Sequence, residues 1–326
     1  MIGKERMVIG LISALITLIL VLFFIIGLGF TSDEEEEEKQ PTFAERFQND
    51  YSIYSLNLPD SLTFAGEEVP VDYFDVRESL DRELLVNTYW QSHTILLIKR
   101  ANRYFPMIED ILEEHNVPED FKYVPLIESE LTHAVSPAGA VGFWQFLRGT
   151  ARDYGLEVNY QVDERYNLEK STKAACEYFH DAKERFGSWT LAAAAFNFGR
   201  TATIRQLNRQ QADSYYNLVL NEETARYIYR ILAMKLIMND PEKYGFNIRE
   251  QDLYHPVPYY KVEVDTTVED FAAFAREHSI NYKLLKIMNP WLRENYLKNP
   301  RGKTYEIKIP EKGYRDYRKL YLNQKQ

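Results

Sequence analysis

The chain has 326 residues, 45% of them apolar, with 39 Lys and Arg against 49 Asp and Glu. That length allows one to three domains, and that apolar share builds a real core, which excludes a disordered chain. A net charge of −10 argues against nucleic acid as a partner, and the lone Cys176 excludes an internal disulfide framework.

A short tip, residues 1–6, carries Lys4 and Arg6. Met7 to Phe30 follows, 24 residues without a charge. A bilayer span needs about 20. Asp33 and Glu34 through Glu38 come next. Positive flanks stay cytoplasmic, so the pattern predicts a single-pass anchor over 7–30 in the inner (cytoplasmic) membrane, with the rest on the extracytoplasmic, periplasmic side. A cleaved signal peptide is the competing reading. Its apolar region would run only about 7–15 residues, and Gly27-Leu28-Gly29 is a poor cleavage site. No cysteine stands there to take a lipid.

Residues 31–75 read as an acidic linker (31–42) and a docking arm. No core can be built from the linker's composition. The arm offers Phe43, Phe47, Tyr51, Tyr54, Leu56, Leu58, Leu62 and Phe64 to a globular body.

Residues 76–245 read as helices. Val76, Leu80, Leu84 and Leu85 recur at helical spacing, as do Leu96, Leu97, Ala101, Tyr104 and Phe105. Pro106 predicts a kink or an end in the second helix. Asn116 and Pro118 then predict the N-cap region and an early helical proline of the next. The six histidines form no HExxH or Cys/His pattern, so no metal site and no cofactor is predicted. Cys176 lies in an Ala-Ala-Cys-Glu-Tyr-Phe helix and reads as a small buried hydrophobe.

The helix opening at Phe121 puts Glu128-Ser129 directly after Leu126-Ile127. A carboxyl held against apolar side chains has a raised pKa, which suits a general acid. The plain alternative is a solvated surface Glu. A small-residue turn follows, Ser136-Pro137-Ala138-Gly139-Ala140, and then Gly142-Phe143-Trp144-Gln145-Phe146. Ala195-Phe196-Asn197-Phe198-Gly199 closes a short Ala-rich helix that starts at Trp189. Glu223-Thr224-x-x-Tyr227 opens another, which Asn221 caps. Gln145 and Asn197 supply amides suited to sugar hydroxyls and N-acetyl groups. Ser129 and Ser136 are candidate groove groups, with caps or turns as the alternative. Trp144 reads as core, and Tyr227 faces the core on pattern alone.

Most glycosidases need two carboxylates. Glu130, two residues on, points elsewhere, and Asp153 and Asp163 are near in sequence only. No second acid near Glu128 in the sequence sits in a chemistry-bearing block.

These three blocks, in this order, resemble the lytic transglycosylases related to goose-type lysozyme, and among them the membrane-bound murein transglycosylase D group. The resemblance covers roughly residues 95–240. It implies a mainly α, lysozyme-like catalytic domain and a substrate of peptidoglycan glycan strands. It implies one Glu, Glu128, that protonates the departing glycosidic oxygen and then takes the proton of the substrate's own 6-hydroxyl. The product would carry a 1,6-anhydro-N-acetylmuramic acid end. It further implies Ser129, Ser136, Gln145, Phe196, Asn197 and Tyr227 as groove residues, with the Tyr227 hydroxyl orienting Glu128 or substrate. Three departures stand out. Phe196 replaces the usual Tyr, Leu147-Arg148 replaces the usual Met-Pro, and the Glu128-to-Ser136 loop is one residue shorter than the commonest spacing.

Residues 246–326 change character. Tyr260–Val264 and Tyr305–Ile309 alternate like strands. Between them lie a helix capped by Thr266 or Thr267 and a second starting near Asn281. This βααβ order resembles a LysM module, which implies binding of N-acetylglucosamine-containing glycans. Its first turn is degenerate, Val264-Asp265-Thr266-Thr267-Val268. The tail from Arg301 has eight Lys/Arg against three Asp/Glu. A hydrolytic muramidase on the same fold and a non-catalytic wall-binding scaffold are the alternative functions, and protein partners are left open.

Overall fold

The computed structural model describes residues 2–29 and 53–322. The chain divides into two compact units, Met1–Ser55 and Leu56–Gln326. In the first, α1 (Ile2–Gly29) is one continuous helix. Side chains 13–26 are exposed and none is charged. Thr17 donates its hydroxyl to the Ser13 carbonyl at 2.8 Å, which satisfies that polar group inside the helix. Among the described residues no helix is long and apolar enough to cross a membrane. The anchor expected over 7–30 therefore rests on the sequence pattern. The linker 31–42 and Phe43, Phe47 and Tyr51 lie outside the described residues.

The second unit begins with a strap. Leu56, Leu58 and Leu62 pack on the main core, and Phe64 is fully buried in it. β1 (Thr63–Phe64) and β2 (Glu67–Glu68) pair as a tight hairpin. Ala65 and Gly66 turn it, both with positive φ. The helical body follows with α2 (Phe74–Tyr89), α3 (Gln91–Glu114), α4 (Tyr123–Ser129), α5 (Arg148–Asp153), α6 (Leu168–Phe186), α7 (Trp189–Phe198), α8 (Arg200–Gln210) and α9 (Glu222–Asn239).

Pro106 lies inside α3 and does not end it. The proline costs about 3 kcal/mol, but Ile108, Ile111 and Leu112 beyond it are buried, at about 1.5–3 kcal/mol each, so burial wins. Asn116 has φ 54 and closes the turn after α3, so it does not cap the next helix. Asn221 caps α9 as predicted, accepting from the Thr224 N–H at 2.9 Å. Gly187, at φ 69, ends α6. α9 runs antiparallel to α2. Arg226 donates to the buried Glu83 at 2.6 and 3.2 Å, while Arg82 pairs with Glu222 at 3.6 Å.

The C-terminal part has β3 (Tyr259–Val264), α10 (Phe271–Glu277), α11 (Tyr282–Met288), β4 (Tyr305–Pro310) and α12 (Tyr317–Leu322). β3 and β4 pair antiparallel from Tyr259–Pro310 to Val264–Tyr305. Asp270 caps α10, not Thr266 or Thr267, and Asn281 caps α11. Their apolar sides form a second core of Phe271, Ala275, Leu285, Trp291, Ile307 and Ile309. That core also takes in Val141, Val162 and Tyr166 from the helical body. Asp163 N–H donates to the Trp291 carbonyl, and Arg293 N–H to the Gln161 carbonyl, at 2.9 and 2.8 Å. Tyr259 and Lys308 both reach the Glu169 carboxylate, at 2.8 and 2.9 Å.

Glu67 fastens the strap to α7. Its carboxylate accepts from the Trp189 and Thr190 N–H groups (2.6 and 2.9 Å), from the Ser188 and Thr190 hydroxyls (2.7 and 2.8 Å) and from Lys183 (3.0 Å). The free N–H groups of a helix start attract an anion, and here the anion comes from another element. Burial alone would raise the Glu67 pKa, but these donors hold it down to about 2. A carboxyl depressed on folding adds stability above its ordinary value of 4.5, and that stability is lost as pH falls toward 2. Glu67→Ala is therefore expected to lower the unfolding free energy by about 2–3 kcal/mol at pH 7. Urea unfolding from pH 7 to pH 2.5 checks this, since the gap between variant and wild type should narrow on the acid side.

Candidate active site

Glu128 occupies the last turn of α4. Tyr123, Val124, Pro125 and Leu126 are buried beneath it. The helix stops abruptly because Glu130 and Leu131 are both left-handed, at φ 55 and 53. Two such residues in a row are costly for side chains with a Cβ. Capping bonds hold them, Glu130 N–H to the Leu126 carbonyl at 3.0 Å and Leu131 N–H to the Pro125 carbonyl at 3.4 Å. Arg100 donates to the Glu130 carbonyl at 3.1 Å.

The half-buried Glu128 accepts from the Tyr227 hydroxyl at 2.7 Å. Its carboxyl pKa is pushed up to about 7. Burial is the largest cause. The Tyr227 hydrogen bond and the positive charge of Arg230 pull the other way, and the Glu223 carboxylate raises it further. Burial wins because an uncompensated carboxylate loses more solvation than one neutral donor returns. The result is a carboxyl that both gives and accepts a proton near neutral pH.

The loop after α4 is folded around Arg165. This buried guanidinium pairs with Asp163 at 2.9 and 2.7 Å and donates to the Gly139 and Phe146 carbonyls, both at 3.1 Å. Gly142 has φ 81, and a Cβ there would stand 2.1 Å from the Arg165 carbonyl oxygen, so only glycine fits. Ser136 accepts from the Ala140 N–H at 3.0 Å and closes the small-residue turn. Gln145, at φ 49, donates through its side-chain amide to the Ala134 and Gly142 carbonyls, at 3.1 and 2.8 Å. The buried Ser129 hydroxyl lies within 3.0 Å of the Pro125 carbonyl and 2.9 Å of that of Phe143, tying the Glu128 helix to the loop. Trp144 is fully buried and donates to Thr172 at 2.9 Å.

Asn197 stands at the end of α7. Its amide oxygen accepts from Thr224 at 3.0 Å and its amide nitrogen donates to Glu223 at 3.3 Å. Phe196 is packed among Trp144, Phe146, Tyr178 and Phe179, with ring centroids 5.0–6.2 Å away.

The fold thus joins Glu128 to Tyr227 directly, within reach of the Arg230 charge, and sets Glu223 and Thr224 at the start of α9 against Asn197 at the end of α7. Gln145 and Ser129 spend hydrogen bonds on holding the loop, and Ser136 spends one on its turn. Asp163 is consumed by Arg165, and Glu130 faces His93 and Arg100, at 3.2 and 3.3 Å. Sequence reasoning missed Arg230 and Arg165. Arg230 lies one helical turn past Tyr227, a spacing that could have shown it; nothing local marks Arg165.

Two stretches of the chain match known family models. Residues 106–219 match the transglycosylase SLT domain. The chain carries an SLT domain. Residues 260–313 match the soluble lytic transglycosylase C-terminal LysM-like domain. The chain is 27% identical over 262 residues to the membrane-bound lytic murein transglycosylase D of Escherichia coli (strain K12), which is 78% of this chain and 56% of that protein. The protein of that name from Escherichia coli O6:H1 matches to the same extent. The match thus spans little more than half the length of these relatives. The SLT span takes in Glu128 and Asn197 and stops before Glu223, so it is the hydrogen bond from Tyr227 that ties α9 to the acid.

Tyr227→Phe removes a bond that favours the charged carboxylate. The Glu128 pKa is expected to rise above about 7, by about one unit. A carbon-13 NMR titration of labelled glutamate carboxyls reads this directly, and an unmoved Glu128 resonance would show that the bond is not made in solution.

Proposed function

We propose that this protein is a lytic transglycosylase that cleaves the β-1,4 bond between N-acetylmuramic acid and N-acetylglucosamine in peptidoglycan. The observation that carries the proposal is the carboxyl of Glu128, buried to a pKa of about 7 and oriented by Tyr227. Glu128 begins protonated and gives its proton to the glycosidic oxygen as the C1–O bond breaks. The substrate's N-acetyl oxygen shares the positive charge left at C1. Glu128, now a carboxylate, takes the proton of the 6-hydroxyl as that oxygen bonds to C1. The ring closes to a 1,6-anhydro end, no water enters, and the acid is restored. One carboxyl does both transfers, which requires a pKa close to the working pH.

Gln145 and Asn197 are assigned to the sugar hydroxyls and N-acetyl groups of the groove, and Phe196 to its wall. Ser129 and Ser136 border the same groove through the loop they hold. The LysM-like part is assigned to glycan binding. The charge-free stretch 7–30, with Lys4 and Arg6 before it and Asp33 to Glu38 after it, is assigned to anchoring the body on the outer side of the cytoplasmic membrane. The relatives' printed names, which say membrane-bound, support that assignment.

A hydrolytic muramidase is the second reading, and the specific observation for it is Glu223. This second carboxylate raises the pKa of Glu128. A base at that position would activate water.

Digestion of purified sacculi, with mass spectrometry of the products, separates the two. Anhydro ends, one water lighter than reducing ends, are expected. Reducing ends alone would establish the muramidase. Glu128→Gln is expected to abolish cleavage while the protein still sediments with sacculi. Deletion of residues 1–30 is expected to move the protein from the membrane fraction to the soluble one, and unchanged fractionation would rule out the anchor.

A further inference from the structure

Trp90 is an exposed aromatic side chain that the roles above leave out. Trp90 forms the corner between α2 and α3, with φ −92 and ψ 60, and caps both. The residue is 57% exposed. The His93 ring lies parallel to it, with centroids 4.1 Å apart and planes 11° apart. One face of the indole is thus backed by a flat ring, while more than half of the residue stands in solvent.

The corner is close to the catalytic helix. His93 pairs through Nε2 with Glu130 at 3.2 Å, and Glu130 follows Glu128 by two residues. Arg100 reaches the same carboxylate at 3.3 Å. The buried His93 Nδ1 has no hydrogen-bond partner among the described residues. The antiparallel packing of α2 on α9, fixed by Glu83–Arg226 and Arg82–Glu222, brings the Trp90 end of α2 to the start of α9. Glu223 and Tyr227 stand there, and Asn197 is bound to Glu223. Trp90 therefore belongs to the same end of the body as the acid.

We propose that Trp90, backed by His93 and edged by the Glu130–Arg100 pair, is a stacking platform for a pyranose ring of the glycan strand, at a distance from the bond cleaved at Glu128. This rests on the glycan reading of the site. The chemistry fits a sugar. A pyranose presents a face of C–H groups to an aromatic plane and a rim of hydroxyl and N-acetyl groups to charged side chains. A protein partner would need about 800 Å² of contact per side, with more than one large aromatic anchor at its centre. A single platform with a charged edge suits a narrow, polar-rimmed ligand.

Of the four tryptophans, Trp144 and Trp291 are buried and Trp189 is half-buried, so Trp90 dominates the exposed emission. The test uses the full chain with Glu128→Gln, so that nothing is cleaved, titrated with chitotetraose. A saturable blue shift of emission is expected, together with protection from acrylamide quenching. Trp90→Ala should weaken binding about tenfold, and Trp90→Phe should restore part of it. On the Glu128 background, Trp90→Ala should raise the KM for long glycan strands about tenfold and change kcat less than twofold. An unchanged emission and quenching profile on saturation with the sugar would overturn the proposal, as would an unchanged KM. Failure of the catalytic reading shows differently. Wild type would then leave sacculi uncut, while the titration still reported Trp90.

Discussion

The placing of one carboxyl under a tyrosine hydroxyl is what the rest of the body serves. Glu128 folds with a pKa near 7 against an ordinary 4.5. A carboxyl raised on folding binds a proton that the unfolded chain has already released between those values. Stability therefore falls as pH rises from 4.5 to about 7, by about 3 kcal/mol in full. That is a large fraction of a domain's net stability, so the surroundings must over-determine the site. The pair Glu83–Arg226 does part of this. Glu83 is 1% exposed, and a buried carboxylate is tolerable only with its partner in place. Arg226 precedes Tyr227 in the chain, so the pairing that neutralises Glu83 also fixes the rotation of α9 that points the Tyr227 hydroxyl at Glu128.

The loop beyond Glu128 is fixed from the other side. Arg165 binds carbonyls at both ends of the segment 139–146 and is itself neutralised by Asp163. The residues on either side of this pair serve the LysM-like part. Val162 and Tyr166 enter its core, and Arg293 stands over the Tyr166 ring at 4.1 Å. The C-terminal part is therefore no loose bead on a linker. Its packing and the conformation of the Gly142–Gln145 turn rest on the same five residues, 162–166.

Much of this was legible in the sequence because the signals were local. The helix periodicities, the Asn221 cap, the helix start near Asn281 and the burial of Trp144 and Cys176 follow from neighbours within one or two turns. Glu128 was legible because apolar residues precede it directly, and Tyr227 because its block was recognisable. What was not legible depends on contacts far along the chain. Glu67 caps a helix 122 residues later through Trp189, and nothing near Glu67 says so. Arg165 lies in an ordinary Asp-Glu-Arg-Tyr string, and only the folded loop shows that its donors replace a missing ladder. Pro106 was read as a kink or an end because its local cost is known, while the burial that outweighs it comes from other helices.

Phe196 is the departure that stands next to Asn197. A tyrosine there would add a hydroxyl at the end of α7. The phenylalanine keeps the ring, and its edge-on contact with Tyr178 (5.1 Å, 89°) sits among three further aromatics. Tyr178 donates its hydroxyl to the Ala195 carbonyl at 2.8 Å, so the last turn of α7 is held next to the ring. Asn197 follows, and its two amide bonds to Thr224 and Glu223 fix its orientation without help from position 196. The missing hydroxyl is therefore not needed for the positions of Asn197 or Tyr227. The raised pKa of Glu128 comes first from burial and is tuned by Tyr227, Arg230 and Glu223. None of the groups that set the Glu128 pKa is altered by a phenylalanine at 196.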